Sequence, residues 1–377
     1  TEFDDYDVLW PSGHGGKVIF EKGGYLFTLD LDTGKTAQIE VNINFDNPNR
    51  LPYYKNVSRY ISRFGAAISP DGKRAVFDGR GDLFSVPAKT GVTLNLTQTQ
   101  GIREKYPSWS PDGKWIAYIS DESGDYEIYM RDPQGKKDPV QLTKDNKVWK
   151  YPVDWSPDSK WLLFSDANRK LQLLNVESKE ISLVAKGEYS DIGSYEWSPD
   201  SKWIVYNKTE SNRLDAIWVY SLEKKESFKL SEGNYNDYSP SFSRDGKHLF
   251  FLSNRDFNMS FQTGFSSMEF DFVYNQTTRI YALGLVKEAP DLFKEENDLE
   301  EKQEETPTEK AEPEKKEEKK GPEEKKEEKV SVKIDLEGIN NRITVFPLPT
   351  SNYGMVYDLG GGKILYFRER QLRYYGL

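Results

Sequence analysis

One five-residue turn, written five times, limits what this chain can become. It reads Ser69-Pro70-Asp71-Gly72-Lys73, then Ser110-Pro111-Asp112-Gly113-Lys114, Ser156-Pro157-Asp158-Ser159-Lys160, Ser198-Pro199-Asp200-Ser201-Lys202 and Ser243-Arg244-Asp245-Gly246-Lys247. Successive first serines stand 41, 46, 42 and 45 residues apart. Proline in second place presets φ for a type I turn, aspartate caps it, and glycine accepts a positive φ. In the most complete copy, Tyr106 to Thr143, alternating stretches such as Ile116 to Tyr118 and Glu127 to Met130 flank the turn as half-buried strands do. A period of roughly 40–50 residues built of four short strands is the mark of a β-propeller blade. The predicted fold is therefore all-β, a β-propeller of four-stranded antiparallel blades with WD40-like repeats. The chain is long enough for six or seven of them.

Composition narrows the reading. Aromatic residues make up 14 % of the chain, and six of its nine tryptophans (Trp109, Trp115, Trp155, Trp161, Trp197 and Trp203) flank the repeated turn. A fixed place in the repeat predicts packing between blades rather than ligand stacking. There is no cysteine, which excludes disulfides and thiolate metal sites and leaves the compartment open. The net charge of −10 disfavours a nucleic-acid surface. No run of about 18 apolar residues occurs, so no membrane-spanning helix is expected. The chain opens on Thr1 and closes in strand-like Tyr374-Tyr375-Gly376-Leu377, as a piece of a longer polypeptide would.

Taken in order, residues 1–44 predict one blade without the Ser-Pro-Asp-Gly turn. Its strands are placed at Lys17 to Phe20, Tyr25 to Leu31 and Thr36 to Val41, and residues 1–14 outside any strand. Residues 45–60, with two prolines and no period, read as a connector. Residues 61–286 carry the repeats. Leu96-Thr97, Leu142-Thr143 and Leu230-Ser231 close three of them and are expected at outer edges, their polar residues towards solvent. Met259 to Asn275 is read as an insertion without strands. Residues 287–330, almost wholly Glu, Lys, Pro and Thr, hold too little apolar surface to offset ordering entropy and predict a disordered insertion. Residues 331–377 resume the propeller, truncated at the C-terminus, with strands at Val330 to Leu336, Ile343 to Pro347, Gly354 to Leu359 and Lys363 to Phe367. Gly360-Gly361-Gly362 is a hairpin turn; no Ser or Thr follows Lys363 to make a phosphate loop.

The chemistry is sparse. There are two histidines. His248 follows a repeated turn and reads as structural. His14 stands in Gly13-His14-Gly15-Gly16, but the chain has no Gly-x-Ser-x-Gly elbow to pair with it. No His-Glu-x-x-His or Cys/His cluster marks a metal site. The five turn aspartates are explained by capping. No catalytic residue, metal ligand or cofactor is assigned.

The run Tyr54 to Met130 closely resembles tricorn-type peptidases, notably at Lys55-Asn56-Val57-Ser58-Arg59-Tyr60-Ile61 and from Gly81 to Lys89. So do Asn95-Leu96-Thr97 with Gly101-Ile102-Arg103-Glu104, the block Phe250 to Asn258, Phe270 to Leu283, and the Glu/Lys-rich insertion followed by Ile334 to Ile339. The resemblance implies two propellers, a PDZ-like domain and an S41-class serine peptidase region in one polypeptide. This chain would supply the last blade of the first propeller and most of a seven-bladed second one. It implies a non-catalytic role: a passage for peptides or unfolded polypeptide towards a proteolytic site downstream, in a homo-oligomer containing the parent's PDZ-like and catalytic domains. Relatives of this kind are cytosolic in archaea and often exported in bacteria, so localisation stays open. In such blades the loops entering the first strand and following the second share one face of the disc. Here they hold Arg59, Arg63, Arg103, Lys105, Lys147, Lys150, Tyr195 and Asn236, a partly basic rim that would steer acidic or carboxylate-bearing peptides. Ordinary solvated loop charges are the other reading of the same residues. Ser-Pro-Asp-Gly propellers also resemble TolB-like protein-binding modules without enzymatic activity and the caps of prolyl-oligopeptidase-like enzymes; the last would need an α/β-hydrolase domain.

Overall fold

The computed structural model describes residues 3, 5–42, 56, 58–144, 147–256, 259–261, 272–274, 276–290, 292–293, 330–369 and 371–376. These fall into two compact units, Thr1–Asn56 and Val57–Leu377. Most of the expected connector at 45–60 and most of the insertion at 287–330 lie outside the described residues; Ser58–Tyr60 forms one short 3-10 turn.

The first unit is one antiparallel sheet in sequence order: Val8–His14, Lys17–Lys22, Tyr25–Asp30 and Thr36–Gln38. Val8–His14 is a strand that the sequence reading missed, because a register shift between Leu9 and Ser12 breaks its period. Gly15 and Gly16, both at positive φ, close its hairpin, so the Gly-His-Gly-Gly run is turn chemistry.

Among the described residues, the second unit contains five four-stranded sheets, a three-stranded one and a two-stranded ribbon, all antiparallel. Blade 1 is Ala66–Ile68, Arg74–Gly79, Asp82–Pro87 and Leu94–Asn95. Blade 2 is Glu104–Trp109, Ile116–Ser120, Glu127–Arg131 and Val140–Gln141. Blade 3 is Asp154–Trp155, Trp161–Ser165, Lys170–Asn175 and Ile181–Lys186. Blade 4 is Tyr195–Trp197, Trp203–Thr209, Asp215–Ser221 and Glu226–Lys229. Blade 5 is Asp237–Phe242, His248–Ser253, Arg279–Gly284 and Ile343–Val345, so its fourth strand follows the Glu/Lys-rich stretch. Blade 6 is Tyr353–Asp358, Lys363–Arg368 and Gln371–Gly376. Between the second and third strands of blade 5, Met259–Phe261 pairs with Phe272–Tyr274, a ribbon where no strand was expected.

The repeated turn is a small hydrogen-bonded unit. Ser110 Oγ donates to Asp112 Oδ1 at 2.7 Å and accepts from Trp115 N at 2.9 Å, while Asp112 Oδ1 accepts from Lys114 N at 3.0 Å. The same three bonds recur at Ser69, Ser156, Ser198 and Ser243. Two copies carry serine where glycine is natural, Ser159 and Ser201, at φ 60° and 61°. Each repays the strain across a blade boundary: Ser159 Oγ accepts from Asp112 N at 3.1 Å and Ser201 Oγ from Asp158 N at 3.0 Å.

Blades meet through aliphatic and aromatic side chains. Between blades 2 and 3, Ala117, Ile128 and Met130 pack with Trp155, Leu162 and Phe164, and Trp155 Nε1 donates to Ser108 O at 3.0 Å. All six turn-flanking tryptophans sit in or against such clusters. The Leu-Thr/Ser pairs, expected at solvent-facing edges, are internal. Leu96, Leu142 and Leu230 are buried, and the following hydroxyls accept from Leu83 N, Ile128 N and Ile217 N. A hydroxyl there satisfies a third-strand N–H that the short fourth strand cannot reach. Val330 to Leu336 also departs from expectation, forming no strand. Val332 is buried, its N–H donating to Asp200 Oδ2 at 2.9 Å and its carbonyl accepting from Trp203 Nε1 at 3.2 Å, which ties this segment to blade 4.

Candidate functional site: the cavity between the first strands

The first strands of blades 3 to 6 face a cavity of about 510 Å³. Two of its acidic residues share one place in the repeat. Two places before that serine stand Ala67, Ser108, Asp154, Glu196 and Ser241. Of these five, Asp154 and Glu196 line the cavity. Tyr195 joins them, with Asp191 from the loop before blade 4 and Tyr357 from blade 6. Phe64, Pro152, Pro240 and Met355 supply apolar wall.

The electrostatics follow from crowding. Asp154 opens onto the cavity but is surrounded by protein, which pushes its carboxyl up to about 6. Glu196 is pushed up to about 7, chiefly by burial, with Asp154 adding to the effect. Its Oε1 accepts from Phe242 N at 3.2 Å and Ser241 Oγ at 3.3 Å, which joins blades 4 and 5. The phenols of Tyr195 and Tyr357 are raised by burial and by these carboxylates. Tyr151, which donates to Asp191 Oδ2 at 3.3 Å, is also raised, by burial and then by Asp191. Neither histidine lines the cavity, and among the described residues no group of three His, Cys, Asp or Glu side chains is placed to hold a metal ion.

The eight residues expected on a basic rim have divergent fates. Arg59, Arg63, Arg103 and Lys147 are exposed; the first two lie against the rings of Tyr60 and Phe64. Arg103 borders a smaller hollow of about 320 Å³ with Arg80 and Tyr60. Lys150 is fully buried and paired with Glu127 at 2.9 Å, so it is not a rim charge. Lys105 is buried too, its Nζ 3.4 Å from the ring centre of Trp149 and 3.7 Å from that of Tyr126. Burial, and then the charge of Arg103, bring that ammonium down to about 8. Asn236 is occupied in structure, its Oδ1 accepting from Asp215 N at 3.0 Å. Tyr195 lines the cavity, its hydroxyl donating to Pro152 O at 3.4 Å. Sequence reasoning missed Asp154, Glu196, Asp191 and Tyr357. The first two share one place in the repeat, a signal that could have paired them, although Ser241 at that place does not line the cavity.

A family model described as the tricorn protease second β-propeller domain matches residues 64–375. The chain belongs to that family. Tricorn protease homolog 1 of Streptomyces coelicolor is 25 % identical over 379 residues, covering 98 % of this chain and 33 % of the relative. The tricorn protease of Thermoplasma acidophilum is 24 % identical over 270 residues, covering 69 % of this chain and 24 % of the relative. The crystal structure of the tricorn protease superposes with a TM-score of 0.63 at 19 % identity, over 98 % of this chain and 32 % of that one. The chain thus spans a quarter to a third of these relatives, and the site above belongs to a tricorn second propeller.

Proposed function

We propose that this chain is a non-catalytic passage, admitting peptides or unfolded polypeptide to a proteolytic site carried elsewhere in a tricorn-like serine peptidase. The carrying observation is the cavity itself: about 510 Å³, walled by first strands and by tyrosine, phenylalanine and proline, in a member of the second-propeller family. A segment threaded there would meet apolar and aromatic side chains interleaved with the polar groups of Asp154, Asp191 and Glu196, the mixture a binding passage needs. Residues 1–44 are the last blade of a preceding propeller in this reading. The exposed Arg59, Arg63, Arg103 and Lys147 act at the approach rather than within the passage.

The test compares peptide hydrolysis by this chain with that by the chain extended through the remainder that its relatives possess. Activity is expected only in the extended protein, and Ser194→Trp, which places an indole in the cavity wall, should slow cleavage of long peptides there. Hydrolysis by the chain alone would overturn the reading. Inactivity of both, with tight capture of a folded protein, would replace it with a binding module.

A further inference from the structure

We infer that the cavity favours polypeptide segments bearing positive charge, as lysyl or arginyl side chains or a terminal ammonium, over acidic ones. The inference rests on the passage reading and assigns that passage its substrate preference. Every charged side chain lining the cavity is a carboxylate: Asp154, Asp191 and Glu196. None of the three takes part in an ion pair among the described residues. Asp154 and Asp191 are exposed and Glu196 is half-buried, so an entering ammonium or guanidinium finds carboxylates without a cation, while an entering carboxylate is repelled by them. The aromatic walls act in the same direction. The rings of Tyr195 and Tyr357 are part of the lining, and the face of an aromatic ring attracts a cation and repels an anion; that of Phe64 already has the Arg63 guanidinium against it.

Two of the cations that the sequence placed on the rim do not offset this field, and Arg63, against the ring of Phe64, is not itself a lining residue. Lys150 is neutralised by Glu127, and Lys105 is turned onto Trp149 and Tyr126. The net charge of −10 over the whole chain gives a general attraction for cations, so the decisive experiment must separate cavity from surface.

The test measures binding of three flexible peptides of one length to the full chain at low ionic strength: Gly/Ser-based with three lysines, with three glutamates, or uncharged. The lysine peptide should bind at least about tenfold more tightly than the glutamate peptide. Asp154→Asn with Glu196→Gln should erase most of that ratio. Both changes are near-isosteric, and a glutamine at 196 keeps an oxygen for Phe242 N and Ser241. Glu177→Gln with Glu180→Gln removes the same charge from exposed positions and should change the ratio less than about twofold. Equal losses in the two double variants would overturn the inference in favour of net charge. Equal affinity for all three peptides would overturn it while leaving the passage reading intact. Failure of all three to bind would overturn both.

Discussion

Lys150 and Glu127 offer the sharpest test of how blades 2 and 3 are joined. Lys150 has no exposed surface and Glu127 is 1 % exposed. Lys150 Nζ lies 2.9 Å from Glu127 Oε2 and donates to Tyr126 O at 2.8 Å, while Glu127 Oε2 also accepts from Thr143. Lys150 enters blade 3 through a single bridge to Asp166, whereas Glu127 opens the third strand of blade 2. Lys150→Met keeps most of the stem volume and removes the ammonium, which strands a carboxylate in the interior. Breaking a buried pair in this way costs about 3–5 kcal/mol, against total stabilities of about 5–15 kcal/mol. Glu127→Gln should cost less, since the Tyr126 carbonyl still receives the ammonium. The double variant leaves no uncompensated charge, so it should fall well short of the summed single costs, by about 2 kcal/mol or more. Urea unfolding followed by tryptophan fluorescence reads all four proteins, with the m-value checking that the transition remains comparable. A Lys150→Met cost under about 1 kcal/mol, or strict additivity, would show that water reaches the pair and refute the argument.

Three further outcomes are expected. Ser159→Ala keeps the left-handed φ and loses the acceptor for Asp112 N, so it should destabilise by about 1 kcal/mol, whereas Ser159→Gly relieves the φ and should sit near neutral; urea midpoints distinguish them. Gly246→Ala, at φ 69°, would place a Cβ 2.7 Å from Val332 Cγ2. It should displace the segment after the Glu/Lys-rich stretch and raise amide exchange near Val332; unchanged exchange would argue against that anchoring. Asp154 and Glu196 have folded-state values of about 6 and about 7, above their ordinary 3.8 and 4.5. The folded chain therefore holds these protons longer than the unfolded one, and stability drains away as pH climbs from about 4 to about 7. With Asp191, Tyr151, Tyr195 and Tyr357 as the titratable neighbours in that wall, Asp154→Asn with Glu196→Gln should raise the melting temperature at pH 8 and leave it nearly unchanged at pH 4. A gain of equal size at both would refute the assignment.

The sequence by itself determined the repeat and hence the blade. A Ser-Pro-Asp-Gly turn is local chemistry, complete within five residues, so Ser110, Asp112 and Gly113 announce it without any partner. Period-two alternation likewise marks Ile116–Ser120 and Glu127–Arg131, because one strand is enough to display it. Only the tertiary structure decided which residues act together. Lys150 and Lys105 look like rim charges in one dimension; burial against Glu127 in one case, and against Trp149 and Tyr126 in the other, removes them from the surface. The hydroxyls of Thr143 and Ser231 look solvent-facing until the third-strand N–H groups that they satisfy come alongside. Val8–His14 was hidden by a register shift that only its partner strand reveals. The acidic cavity forms because first strands from separate repeats converge, bringing Asp154 and Glu196, 42 residues apart in the chain, to one wall. Local turn energies are set within a few residues, whereas burial, desolvation and unpaired charge are properties of what packs from afar.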